Sequence, residues 1–306
     1  MSRLFDISEK LLDGRIPTSE KFILSETSPP NYNILRIIMG GVSVTNNDTA
    51  ITCDFTTNFL SLYYSFNDEL SAEENLVAIL NDSINLDDLE KFFFDRRYST
   101  KNKEFFNRLE NEFCNFLTYQ SKGNFTTAFI FIYRILEVIS FSFPLIYASK
   151  TYDFKHTYGK LSEIFSNNAG NAKGELGFLK SAIKVMFEDS ELLETSIDIE
   201  LTDEHEKNEK IFKAIKSVID NKIFHTDTIE NSKISICFGD VSSFIITLRN
   251  RFFHLFNRGD KNLESIEIID PDYLFSKINE PIFTWICVIY IEINKFLLEE
   301  HEKYVR

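Results

Sequence analysis

The sequence predicts a mainly α-helical protein: a helical bundle preceded by a small α/β region. Three observations carry that prediction. Gly (10) and Pro (6) are scarce among 306 residues, which favours helices over turn-punctuated β architecture. From about residue 102 onward, apolar residues recur at helical spacing. Before residue 100, the segment VSVTNNDTAITCDF alternates on either side of Asn46-Asn47-Asp48, which suits a small β-hairpin. The expected organisation is an N-terminal α/β region over 1–100, with a regulatory or partner-docking role, and a helical domain over 101–306.

Residues 4–12 read as a short helix, followed by a polar loop containing SETSPPN. NILRIIMGG is apolar and ends at Gly40-Gly41. Residues 56–66 are aromatic and ambiguous, while 71–80 and 86–95 have helical patterns. The region closes on FFFDRRYSTKNK, where Lys91, Arg96, Arg97, Lys101 and Lys103 form a dense basic cluster. Such a cluster serves either as a solvated turn or as a phosphate-backbone contact.

In KEFFNRLENEFCNFLTYQ, Phe105, Leu109, Phe113, Phe116 and Leu117 mark one helix. Gly123-Asn124 breaks it, and 125–148 predicts a second, more deeply buried one. There Arg134 and Glu137 lie three apart, placed to pair on one face, or for one of them to reach a polar group on another helix. Residues 150–171 hold a short helix and a polar loop, and GELGFLKSAIKVMFED predicts a further helix. From Glu188 to Glu206 there are nine Asp or Glu and no Lys or Arg. That run reads as a solvated face or loop, or as a screen over a basic site. Residues 204–224 predict a helix with Ile211, Ile215, Val218 and Ile219 on its apolar face, KISICFG a short extended link, and 273–303 a final helix with a break near Pro281. No internal repeat or low-complexity tract is present.

The formal net charge of −14 counts against a general nucleic-acid packaging role, because long-range repulsion leaves only a local basic patch to meet a polyanion. Cys53, Cys114, Cys237 and Cys287 are isolated and lack zinc spacing, so reduced thiols and no metal are expected. The N-terminus lacks the apolar core of a signal peptide. Residues 125–147 are long enough to span a membrane but carry Arg134, Glu137 and Pro144, and 282–291 are too short. Both read as core helices, and the expected setting is cytoplasmic, with no membrane.

The stretch 240–259, DVSSFIITLRNRFFHLFNRG, reads as one amphipathic helix. Asp240 is a good N-cap, Phe244, Leu248, Phe252, Leu255 and Phe256 supply apolar positions, and Gly259 sits where a C-terminal glycine would. On a regular helix Asn250, Arg251, Asn257 and Arg258 fall within about 60° of His254. A stripe of that chemistry is costly to bury and useful at a phosphate.

Arg249-Asn250-x-x-x-His254, on a helix late in a set of apolar helices, resembles the HEPN superfamily, whose ribonucleases carry Arg, four to six residues, then His, often with Asn after the Arg. NFTTAFIFIYRILEVIS looks like the second helix of that bundle, and the resemblance covers roughly residues 102–303. It implies a HEPN-like helical bundle and metal-independent RNA cleavage, in which the 2′-hydroxyl attacks the adjacent phosphorus and leaves a 2′,3′-cyclic phosphate. His254 would move protons, Arg249 would hold the phosphate, and Asn250 would steady the imidazole or a phosphate oxygen. Arg251, Arg258, Arg96 and Arg97 are further phosphate-binding candidates, and Glu137 and Asn257 supporting ones. No cofactor is implied. A single motif per chain implies a homodimer with a composite site. Toxins and antiviral effectors of this family imply an RNA substrate and a regulatory or antitoxin partner. On a regular helix Arg249 lies about 140° from His254 and Arg251 about 60°, so either arginine is open as the phosphate ligand. The competing class is a non-catalytic HEPN-like module that dimerises or binds a partner or nucleotide.

Overall fold

The computed structural model describes residues 3–10, 22–61, 63–67, 69–80, 84–95, 99–100, 102–150, 154–166, 175–188, 190–201, 205–225, 233–254 and 261–305. In chain order its elements are β1 (Phe5–Glu9), α1 (Pro30–Met39), β2 (Val42–Asn46), β3 (Ile51–Phe55), α2 (Ala72–Leu80), α3 (Leu86–Phe94), α4 (Lys103–Ser121), α5 (Phe125–Lys150), α6 (Phe154–Ser166), α7 (Glu175–Met186), β4 (Ser196–Glu200), α8 (His205–Lys216), β5 (Lys233–Cys237), α9 (Val241–Phe253) and α10 (Pro271–Val305). The fold is mainly helical with small antiparallel sheets. The chain divides into two compact units, one of Met1–Lys122 with Ile286–Arg306, the other of Gly123–Trp285.

In the first unit, β1, β2 and β3 form an antiparallel sheet in that order, with Phe5 opposite Asn46 and Val42 opposite Phe55. The hairpin expected around Asn46-Asn47-Asp48 is the β2–β3 pair. The helix expected over 4–12 is instead strand β1 across Phe5–Glu9, and residues 11 and 12 lie outside the described residues. FDISE alternates: Phe5 is buried while Asp6 and Ser8 are exposed, and that period of two outweighs the helical pattern of the flanking residues. The same alternation turns Glu9 inward. Its Oε2 accepts from Arg36 Nη2 at 3.0 Å and its Oε1 from the Leu24 backbone N–H at 2.7 Å.

Helix α1 is buried at every position. It packs on α4, where Asn33 Nδ2 donates to Glu110 Oε2 at 2.9 Å, and Tyr290 Oη donates to the Asn31 carbonyl at 2.9 Å. The helix ends at Gly40, whose φ of +78° and ψ of −171° suit glycine alone. A Cβ there would sit 2.5 Å from the Thr57 carbonyl oxygen.

The second unit holds α5 to α9 and the start of α10. Two expectations are sharpened here. The acidic run, expected as a solvated face or loop, forms β4 after a 3-10 turn at Glu191–Glu194, and Asp198 and Glu200 make its outer side a solvated face. KISICFG is not a bare link: Lys233–Cys237 is the strand paired with β4, Ser196 opposite Cys237 and Glu200 opposite Lys233. Ile197 and Ile199 face inward, while Asp198 and Glu200 face out beside Lys233, at 3.6 and 3.4 Å from its Nζ. One apolar face is enough to fix a strand whose other face is acidic.

Helix α8 stops at Lys216, so Val218 and Ile219 lie beyond it. The break expected near Pro281 is absent, and α10 continues through it. Ile278, Ile282 and Trp285 are buried around the proline, and this packing supports the turn that the missing N–H weakens. Helix α5 is less enclosed than expected, with Ile130, Arg134, Glu137 and Leu145 exposed on its outer side. By length and composition, Phe125–Ile146 and Pro271–Glu299 are apolar enough to cross a membrane. The second of them is 78% buried within the protein, as a core helix is.

Glu110 gives a pH test of the first unit. Burial raises its carboxyl from 4.5 to about 7, against the lowering effects of Asn33 and Arg3. A raised folded-state value means that folding retains a proton the unfolded chain loses. Its contribution is therefore fully present below about pH 4.5 and is lost as the pH rises toward 7. Glu110→Gln keeps an acceptor for Asn33 and removes the ionisation. Urea unfolding should find the variant more stable than wild type at pH 8, by on the order of 2–3 kcal/mol, and equal to it near pH 4.

Candidate functional site

The site is built at the end of α9. This helix buries Val241, Phe244, Ile245 and Leu248 along one face. At its start, Trp285 Nε1 donates to the Phe238 carbonyl at 3.1 Å, and the two rings meet edge to face. Asp240 stands at the N-cap position, yet its side chain makes no capping hydrogen bond. Its carboxylate is held instead by Lys180 and Lys184 of α7, at 2.8 and 3.5 Å.

At the other end, aromatic rings fix the helix. Phe253 lies parallel to Phe129 of α5 at 6.3 Å, and Phe275 of α10 meets Phe129 at 4.6 Å and Phe252 at 5.3 Å. Nearby, Asp272 Oδ1 accepts from both the backbone N–H and the hydroxyl of Thr126 at 2.7 Å, and Asn279 Nδ2 donates to the Phe125 carbonyl at 2.9 Å. These contacts tie the start of α10 to the start of α5. The two Thr126 bonds hold the Asp272 carboxyl below its usual range.

The single helix expected over 240–259 is corrected here: α9 stops at Phe253. His254 has φ −115° and ψ 95°, an extended conformation. The reason is in the hydrogen bonding. In a continuing helix the Arg251 carbonyl would accept from the N–H of residue 255. It accepts instead from Leu263 at 2.9 Å, so the returning chain takes the acceptor that the next turn needs.

Because His254 leaves the helix, the stripe calculated from regular helical angles does not apply to it. Arg249 reaches the imidazole, with Nη1 against His254 Nε2, and the same Nη1 donates to Asn250 Oδ1 at 3.0 Å. Arg251, closer to His254 on a regular helix, has an Nη1 shut off from solvent. A guanidinium can only donate, so Nε2 is the acceptor. His254 itself is exposed, and Arg249 and Asn250 are half-buried.

One residue here escaped sequence reasoning. Tyr133, half-buried on α5, lies beneath Arg249 with the guanidinium carbon 4.6 Å from the ring centroid. Glu137 lies one turn along the same helix. Burial raises the phenol above its usual value, the Arg249 charge opposes this, and the negative charge of Glu137 adds to it. The available signal was a Tyr four residues before an acid on one helix, an i,i+4 pair. Glu137 thus acts on the site through its charge beside Tyr133.

Arg96, Arg97, Asn257 and Arg258 lie outside the described residues, as do Leu255, Phe256 and Gly259. Among the described residues no group of three or more His, Cys, Asp or Glu could hold a metal ion. The four cysteines are free. No family model, curated protein or solved structure matches the chain.

The aromatic anchor is testable. Phe253→Ala removes the ring stacked on Phe129 and should destabilise the protein by about 1–3 kcal/mol in urea unfolding, less than a fully buried Phe because this one is half-exposed. Phe253→Leu should recover much of that loss. An unchanged midpoint for the alanine variant would show that the rings do not hold the helix end.

Proposed function

We propose that the chain is a metal-independent endoribonuclease of HEPN type, in which Arg249 and His254 carry the reaction. The observation that supports it best is the meeting of Arg249, Asn250 and His254 where α9 ends. RNA brings its own nucleophile, so the protein must move protons and neutralise charge growing on the phosphoryl oxygens. An exposed imidazole with an accepting nitrogen is a suitable base for the 2′-hydroxyl, and the ring can pass that proton on to the departing 5′-oxygen. A guanidinium beside it carries a fixed positive charge, and among the described residues only one of its terminal nitrogens is used in the resting contacts.

The resting contact also sets the order of events. With Arg249 on Nε2, the lone pair that would take the 2′-hydroxyl proton is occupied. An anionic phosphate is a stronger acceptor than an imidazole, so a bound phosphate turns the Arg249 fork off Nε2 and frees that lone pair while the guanidinium stays beside the ring. Asn250 follows Arg249 in sequence and keeps an amide within reach of either arrangement. In this reading the enzyme works as a homodimer that sets two such motifs against one another. The outer side of α5, the helix that carries Tyr133, exposes Ile130 and Leu145 with Arg134 and Glu137 between them, a mixed surface for the second copy. Its setting is that of a cytoplasmic toxin or antiviral effector, held in check by a partner protein. The N-terminal region then serves for docking or regulation.

The occupied Nε2 also favours a second reading, a HEPN-like module whose Arg249–His254 contact is structural and which binds a partner or nucleotide without cutting. RNA cleavage in EDTA separates the two. Wild type should yield 2′,3′-cyclic phosphate ends. His254→Ala should lose on the order of 10²–10⁴ in rate and Arg249→Ala on the order of 10²–10³, each with the oligomeric state of wild type. Equal cleavage by wild type and His254→Ala, or a requirement for metal, would remove the enzyme reading.

A further inference from the structure

We infer that Tyr133 is the positioning residue for Arg249, its ring forming the platform that keeps the guanidinium at the His254 imidazole. This rests on the ribonuclease reading only for its consequence in the rate. The platform itself stands on geometry. An arginine side chain has several freely turning bonds, and Arg249 sits at the last turn of α9 next to a histidine already off the helix. Its Nη1 contacts run to two neighbours on its own segment, Asn250 and His254. Tyr133 adds a contact from a different helix, with the guanidinium carbon over its ring at 4.6 Å from the centroid.

The ring is in turn fixed. Residues Ile132 and Leu136 of α5 are buried on either side of it in sequence, and Tyr133 itself is half-buried. An aromatic face attracts a cation without consuming any of its N–H donors. The fork therefore remains available to a phosphate while the charge is held in place, which a carboxylate partner would not allow. Asp or Glu in the same position would take the donors and neutralise the charge. The arrangement explains why a tyrosine, rather than an acid, meets the arginine here.

The test uses the full-length protein with Tyr133→Phe, Tyr133→Leu, Arg249→Ala and the Tyr133→Leu/Arg249→Ala double variant. Two quantities are read: RNA cleavage, and the NMR signal of the Arg249 Nε–H in arginine-labelled protein, assigned by its loss in Arg249→Ala. A proton over an aromatic face is shifted upfield. Phe keeps the face, so Tyr133→Phe should retain the shift and stay within about threefold of wild type in kcat. Tyr133→Leu should lose the shift and about 10- to 100-fold in kcat, with KM changed far less, as expected for a misaligned group. In the Arg249→Ala background the same substitution should cost nothing further.

An Arg249 signal unmoved in Tyr133→Leu would overturn the inference, as would an equal loss in the wild-type and Arg249→Ala backgrounds. If wild type cuts no RNA, the ribonuclease reading fails, and the Arg249 signal alone decides the platform.

Discussion

The hydrogen bond from Leu263 to the Arg251 carbonyl is the constraint on which the candidate site depends. It engages the carbonyl that the next turn of α9 would use, at the point where the helix stops. The aromatic cluster of Phe129, Phe252, Phe253 and Phe275 then holds that end against α5 and α10. The two effects differ in kind. Stacked rings fix position through area and shape and tolerate small rotations, whereas the backbone bond is directional and fixes the residue at which the path changes. Together they deliver Arg249 from a rigid helix and His254 from an extended segment, so that two residues five apart meet side by side.

The electrostatics of the pair follow from this geometry. In an acidic chain of net charge −14, a phosphate is drawn in only at close range, where a local cation outweighs the distant repulsion. Among the described residues the neighbours of Arg249 are an amide, an imidazole and a phenol ring, none of which carries a negative charge. The Asp240 carboxylate at the opposite end of α9 is engaged by Lys180 and Lys184. The exposed carboxylates of β4 likewise lie beside Lys233. The acidic strand is thus built into the sheet by its isoleucines, and its charge is partly matched where it stands.

Much of this was legible in the sequence because most elements carry one dominant period. Phe105, Leu109, Phe113 and Phe116 state a helix, and the residues flanking Asn46-Asn47-Asp48 state a hairpin, since each buries one face. β1 was hidden because FDISE is only five residues long and sits beside Leu11 and Leu12, which complete a helical spacing by chance. β4 was hidden by its charge: Asp198 and Glu200 outweigh two isoleucines in any reading of polarity, although the two isoleucines decide the packing. Pro281 was given too much weight, because the cost of a missing N–H is local while the burial of Ile278, Ile282 and Trp285 surrounds it. In the candidate site the residue types were readable, and the partner of Arg249 on α5 was not. The contact between Tyr133 and Arg249 joins positions 116 apart, and nothing in the local pattern of either helix refers to the other.

The end of α9 also explains how the Arg–His spacing works. Were the helix to continue, a separation of five would put His254 about 140° from Arg249, on the wrong side of the cylinder. A separation of three or four would bring them together, and helical periodicity alone would demand it. Once the histidine stands beyond the last turn, the angle is set by the extended backbone at φ −115° and ψ 95°, and the helical period no longer governs it. A spacing that looks unfavourable on a helical wheel is then the one that works. The geometric advantage that Arg251 would have over Arg249 depends on a regular helix through His254, and the helix ends before it.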